Sequence, residues 1–248
     1  MKLFLHQLRA EQVLFWRNRE AAFFIFVFPL MLYLLLGAVY GDEIDGIPSS
    51  DVLLAGLLGY GAANTSFGGL AILLVVRREA GILKRLRSTP LPAWAYLGAS
   101  LVSILIVFAV QTVALFALGW AAYGASGPRN LVSLVLAVLL GAAGFAGLGL
   151  AAAALIRSAE ASSPVVNVVL LPMAFLSGSF GPTRDYPDVL QAIADVLPLK
   201  YFIEVVNRIY LGGGQIWDEP GAVAVVAAWG LAGVLIAARR FRWEPREH

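Results

Sequence analysis

The sequence contains no cysteine and only two histidines in 248 residues. The first absence excludes disulfides, thiolate metal sites and cysteine nucleophiles. The histidines, His6 and His248, lie near the two ends and outside every long apolar run, so no histidine base stands inside a membrane. Serine 126 is flanked by glycines in Gly124-Ala125-Ser126-Gly127, but no apolar run carries the histidine that would activate it. Charge is scarce as well, at 14% of residues, where a soluble domain carries about a quarter. No pair of carboxylates falls inside an apolar run, which argues against intramembrane aspartyl proteases and carboxylate-metal transferases. No Gly-x-x-x-x-Gly-Lys-Ser/Thr phosphate loop occurs, so the chain is not expected to hydrolyse ATP alone.

Apolar residues dominate what is present: 60% of the chain is hydrophobic and the mean hydropathy is +0.80. One soluble core could not hide that much apolar surface, and lipid removes the need to. The expected fold is an all-α membrane protein in a single domain over 1–248. Six runs are long enough to span: 21–40, 52–76, 94–123, 131–156, 164–180 and 220–238. Pro29 lies inside the first run, which membrane helices tolerate. That run is too long for a signal-peptide core, so a retained first span is expected. In residues 1–20, Phe4, Leu5, Leu8, Phe15 and Trp16 fall on one side at helical spacing, with Lys2, Arg9 and Arg17 toward the other, the pattern of a helix lying in the membrane interface.

Orientation follows from the basic residues. With the N-terminus inside, inner segments hold Lys2, Arg9, Arg17, Arg19, Arg77, Arg78, Lys84, Arg85, Arg87, Arg157, Arg239, Arg240, Arg242 and Arg246. Only Arg129, Arg184, Lys200 and Arg208 fall outside, so fourteen of the eighteen basic residues are inside. Asp42, Glu43, Asp45 and Asp51 make an acidic outer loop. Both termini are therefore expected on the cytoplasmic side of the inner membrane, as an even number of spans requires.

The polar residues within the runs are neutral: Asn64, Thr65, Ser66, Gln111, Thr112 and Asn167. They suit either hydrogen bonding between helices or the lining of a path for an amphiphile. Gly56, Gly59 and Gly61, and Gly141, Gly144, Gly147 and Gly149, suit close helix packing. Residues 181–219 are less apolar. Val189, Ile193, Val196 and Leu197, then Tyr201, Phe202, Val205 and Val206, recur at helical spacing on either side of Pro198. They read as two short outer helices at the interface or dipping into it.

The segment 77–92 is charged and lies between the second and third spans. On a helix, Glu79, Ile82, Leu83 and Leu86 form one stripe, and Thr89-Pro90 ends it because the residue before proline avoids the α region. Such a helix can dock on another protein, or the loop can simply fix topology.

Glu79-x-Gly81, Leu86 and Thr89-Pro90-Leu91 before a long span resemble the cytoplasmic loop of ABC type-2 exporter permeases. Asn167, Pro172, Phe175-Leu176-Ser177-Gly178, Pro182, Pro187, Leu190, Pro198-Leu199 and Tyr201 resemble the same family's stretch around the fifth span. The nearest style is the small bacterial drug-exporter permease of the daunorubicin-resistance kind, and the likeness covers nearly the whole chain. It implies the membrane subunit of an ATP-driven exporter moving a drug, lipid or lipid-linked product. ATP and Mg would be held by a separate ABC ATPase subunit, with no cofactor or metal in this chain. A second permease copy, identical or similar, and membrane lipid would be the other partners, and no nucleic-acid motif is present. The resemblance assigns Glu79, Gly81, Ile82, Leu83, Leu86 and Arg87 to coupling with the ATPase. Asn64, Thr65, Gln111, Asn167 and Phe175 become candidates for the path, and Pro187, Pro198 and Tyr201 for an outer gate. The alternative, a stand-alone channel or ion-coupled carrier, is disfavoured by the lack of charge within the spans.

Overall fold

The computed structural model describes residues 2–44 and 46–244, apart from the Arg87 side chain. Asp45, Arg246 and His248, each used above, lie outside the described residues. Helix α1 (Lys2–Arg17) is followed after one residue by α2 (Arg19–Tyr40), with Asn18 Oδ1 capping α2 by accepting from the Ala21 amide at 3.1 Å. Two short strands, Glu43–Ile44 and Ile47–Pro48, pair antiparallel as a hairpin with Ile44 opposite Ile47 and Gly46 at φ +76°. Span 2 is α3 (Ser49–Ala62), a π-helical stretch (Ala63–Gly69) and α4 (Leu70–Glu79), and α5 (Ile82–Arg87) follows a turn at Gly81, φ +70°. The remaining elements are α6 (Ala93–Tyr123), α7 (Leu131–Leu155), α8 (Ala159–Leu176), α9 (Asp188–Ala194), α10 (Pro198–Tyr210) and α11 (Pro220–Arg240).

The protein is all-α apart from the hairpin, and among the described residues six helices are long and apolar enough to cross a membrane. Span 2 is the central one: 72% of its apolar window is buried, against 17% for α2 and 28% for α8 and α11. The expected close packing of glycines is observed. A Cβ placed at Gly147 would lie 2.2 Å from the Gly230 carbonyl, and one at Gly233 would lie 2.4 Å from the Gly147 carbonyl, so α7 and α11 cross backbone to backbone. Gly149 meets the carbonyls of Ser66 and Phe67 in the π-helical stretch, where the wider turn brings span 2 against α7.

Three boundaries depart from the sequence expectation. The fifth span begins at Ala159 rather than near Pro164, because Ser158 Oγ accepts from the Ala161 amide at 3.3 Å and starts the helix a turn and a half earlier. It ends at Leu176, where Gly178 at φ +81° turns the chain. The stripe running from Glu79 through Leu86 is not one helix, because Gly81 breaks it and leaves Glu79 on the last turn of span 2.

Two short helices, α9 and α10, stand on either side of residues 195–197 and differ in setting. On α9, Val189, Ile193 and the following Val196 face outward. On α10, Leu199, Phe202, Ile203, Val205, Val206 and Ile209 are buried. Phe202 fits over Gly141 and Ile203 over Gly59. Gly141 is ten residues into α7, so α10 reaches about 15 Å along that helix at 1.5 Å per residue. The end of the bundle bearing α1, α5 and the α7–α8 joint carries most of the basic residues. The opposite end, with the hairpin, α9 and α10, is the acidic one.

Candidate coupling surface and transport path

At the basic end, Arg77 and Arg78, which the sequence placed in the charged segment between the second and third spans, are buried. Arg77 donates from Nη1 to Glu11 Oε1 at 2.7 Å, from Nη2 to Glu11 Oε2 at 2.8 Å, and from Nη1 to the Tyr96 hydroxyl at 2.8 Å. This ties α1, span 2 and the start of α6 together. Gln12 adds a bond from Nε2 to Ser103 Oγ at 2.8 Å. Phe4, Leu8 and Phe15 are half-buried on that side of α1, while Leu5 and Trp16 face outward, so the expected single apolar face is divided. The neighbouring Arg78 is 1% exposed and donates to the carbonyls of Ala153 and Ile156 at the end of α7.

Helix α5 hangs from this assembly. Leu83 is buried in the core, whereas Ile82 is 42% exposed and Lys84 and Arg85 are exposed beside it. Leu86 is half-buried. With Leu91, Ala93, Tyr96 and Trp243 it lines a cavity of about 210 Å³, and the Trp243 ring lies 6.4 Å from that of Tyr96. Ser88 and Thr89 each donate a side-chain hydroxyl to a carbonyl of the last turn, Arg85 and Leu86, both at 2.7 Å, which closes the helix ahead of Pro90. Of the coupling residues named from sequence, Ile82 is the apolar one offered outward, Leu83 anchors the helix, and Glu79 pairs with Arg78 Nε at 3.0 Å.

The path candidates separate into two groups. Thr65 and Gln111 are buried and bonded to each other, Oγ1 to Oε1 at 3.0 Å, and Gln111 Nε2 donates to the Ile25 carbonyl at 3.0 Å, which joins span 2, α6 and α2. Asn64 is half-buried on the π-helical stretch. Asn167 and Phe175 are exposed on α8, and among the described residues the Asn167 amide donates to Ser163 of its own helix, to O at 3.0 Å and to Oγ at 3.3 Å.

At the acidic end, Pro198 and Tyr201 come together. Tyr201 donates to the Asp195 carbonyl at 2.7 Å, and Trp229 Nε1 of α11 donates to the Val196 carbonyl at 3.1 Å. Asp195 also pairs with Lys200, which holds that ammonium above the usual lysine range. Pro187 stands apart, exposed at the start of α9. A residue the sequence reading left in the outer loop proves structural. Asp51 is buried in the first turn of α3, and its Oδ1 lies 2.7 Å from the Tyr210 hydroxyl.

Among the described residues no group of three or more His, Asp or Glu could hold a metal ion. The profile of the ABC-2 type transporter family matches residues 2–211. The chain belongs to that family. The permease is 24% identical over 221 residues to the putative transport permease YvfS of Bacillus subtilis, a match spanning 88% of this chain and 90% of the relative. It is 26% identical over 154 residues to the probable multidrug ABC transporter permease YbhR of Escherichia coli, spanning 61% of this chain and 42% of the relative. It is 25% identical over 201 residues to the linearmycin resistance permease protein LnrN of Bacillus subtilis, spanning 76% and 49%. The chain thus spans less than half the length of two of these three relatives. Family and helices together make it a multi-pass transmembrane permease of the ABC-2 type.

Proposed function

We propose that this permease is the membrane subunit of an ATP-driven exporter of amphiphilic molecules, powered by a separate ABC ATPase subunit. The observation that carries the reading is the mounting of α5. It is held to the bundle by Leu83 and presents Ile82, Lys84 and Arg85 outward beside the buried Arg77–Glu11 pair. An ATPase cleft that gripped this helix would act on α1 and spans 2 and 3 together. The relatives named for multidrug transport and linearmycin resistance support an amphiphilic cargo. The basic end faces the cytoplasm in this reading, by the positive-inside rule, with the protein in the inner membrane. A second permease copy completes the transporter by packing beside this one, and α9 and α10 close its outer side.

Such a device needs no reacting residue in this chain. ATP binding must favour one arrangement of the pair over another, and the cargo must prefer one of the two. The test is co-purification with an ABC ATPase subunit co-expressed from the same organism, for the wild type and for Ile82→Asp. Stoichiometric capture by the wild type and its loss in the variant is the expected result. Absence of capture by the wild type would leave the channel or carrier as the better reading.

A further inference from the structure

Among the described residues, Arg78 is the most deeply buried charged side chain. Its guanidinium makes three directed contacts: Nη1 to the Ala153 carbonyl at 2.7 Å, Nη2 to the Ile156 carbonyl at 2.7 Å, and Nε to Glu79 Oε1 at 3.0 Å. The last carbonyls of a helix have no partner within it, and a cation there also meets the negative end of the helix dipole. Helices often satisfy these groups locally, with a glycine just past the end. Here α7 runs into Ile156 and Arg157 with no such glycine, and Ile156 is already extended at ψ 135°. Its cap is supplied from 75 to 78 residues away, by the last turn of span 2.

The position of that cap matters. Ile156 to Ser158 are the only residues between α7 and α8, so Arg78 holds the joint where span 4 passes into span 5. On its other side, Arg78 stands one residue before Glu79, at the turn that opens α5. Farther along, Val166 of α8 packs over Gly68 of span 2, and beyond its end the turn at Ser179 is seated on span 2 again: a Cβ built at Gly56 would lie 2.6 Å from the Ser179 carbonyl. Val166 and Leu170 face span 2, and away from it α8 presents the exposed face bearing Asn167 and Phe175.

We propose that Arg78 is a positioning residue that carries displacement of α5 into the α7–α8 joint, and so turns the Asn167–Phe175 face of α8 when the ATPase acts. The proposal rests on the reading of α5 as the ATPase-coupling helix. Two carbonyls, each 2.7 Å from a different nitrogen, fix the guanidinium in its plane, so a push on span 2 reaches the joint without slack. A lysine could meet one carbonyl and keep the charge, but it would lose the fork and the contact to Glu79.

The chain has no cysteine, so a single introduced one can be labelled uniquely. In the complex with its ATPase, an environment-sensitive fluorophore is placed at Ser88→Cys or at Asn167→Cys, and its response to ATP with vanadate is recorded. Both labels are expected to respond in the otherwise wild-type chain. In Arg78→Lys, the Ser88 response should persist while the Asn167 response falls about fivefold or more, a coupling loss of the size found for residues on such routes. A purely structural role would weaken complex assembly and dim both labels together. An Asn167 response that survives Arg78→Lys unchanged overturns this proposal alone. A Ser88 label that stays silent in the wild-type complex overturns the coupling reading, and this proposal with it. Should Arg78→Lys fail to fold, amide hydrogen exchange over 153–161 in the unmutated complex decides. A change in exchange on ATP binding supports the joint as the moving part, and unchanged exchange overturns it.

Discussion

Arg77 and Glu11 form a two-pronged ion pair, 2.7 and 2.8 Å, that bridges 66 residues and fastens α1 to the end of span 2. Glu11 is 3% exposed, so removing either partner leaves an uncompensated buried charge. Glu11→Ala is therefore expected to cost about 3 kcal/mol or more. Thermal unfolding of the purified permease in detergent measures this. Replacing both residues with glutamine should cost less than the two single changes added together, because the second change removes the charge stranded by the first. Strict additivity would mean that the pair contributes no coupling energy.

Asn167 and Gln111 looked alike in the sequence, as neutral amides within apolar runs, but they are used differently. Gln111 bonds to Thr65 and to the Ile25 carbonyl on two other helices, and among the described residues Asn167 bonds to Ser163 of its own helix. Gln111→Leu should lower stability by about 1 kcal/mol per lost contact and leave the pattern of exported compounds alone. Asn167→Leu should leave stability within about 0.5 kcal/mol, as for a side chain without tertiary partners, and alter that pattern. Efflux of a panel of amphiphilic dyes, set beside melting temperatures for both variants, separates the two roles. An unchanged dye pattern in Asn167→Leu would remove that residue from the path.

The sequence disclosed what period and composition encode. Six apolar runs gave six helices, Pro198 marked the break between α9 and α10, and Thr89-Pro90 marked the end of α5. The glycine sets on spans 2 and 4 include points of close approach, such as Gly59 under Ile203 and Gly147 against the Gly230 carbonyl. What stayed hidden depends on long-range partners. Arg77 and Arg78 follow an apolar run and so read as loop charges, until Glu11 and the end of α7 arrive from distant sequence. Glu11 itself was masked because an amphipathic reading weighs the apolar residues. One signal was available: an isolated acid among Phe4, Leu8 and Phe15 on the same helical side. Asp51 escaped because it abuts a polar loop, although Ser49-Ser50-Asp51 ahead of an apolar run is the pattern of a helix start. No local pattern announced the π-helical turns at Ala63–Gly69, which answer to packing against Gly149.

Gly147 allows spans 4 and 6 to cross with no side chain between them, since a methyl group there would lie 2.2 Å from the Gly230 carbonyl. Backbone on both sides gives no flexible atom to yield, so Gly147→Ala must push the helices apart. Overpacking of this kind costs about 2 kcal/mol. Gly221→Ala, near the start of the same sixth span, has nothing within 4 Å of the added carbon and serves as the control. Equal melting temperatures for the two variants would show that α7 and α11 can separate freely.

At the acidic end, the Tyr210 hydroxyl lies 2.7 Å from Asp51 Oδ1 and 2.8 Å from the Ser126 carbonyl, so one phenol joins α10, the start of span 2 and the turn before α7. Tyr210→Phe would keep the ring and leave the buried Asp51 carboxylate with Ser126 Oγ at 3.2 Å as its remaining side-chain donor in the cluster. An under-satisfied buried acceptor costs about 1–3 kcal/mol. Because the loss falls at the end of α10, faster amide hydrogen exchange is expected along 198–211, with the α1–α6 contact unaffected. Adding Asp51→Asn should recover part of the protection, since a neutral amide is cheaper to bury than a carboxylate. If exchange along α10 does not change in Tyr210→Phe, then the fit of Phe202 over Gly141 and Ile203 over Gly59 is enough to hold the helix. The phenol would then act on the hairpin side alone.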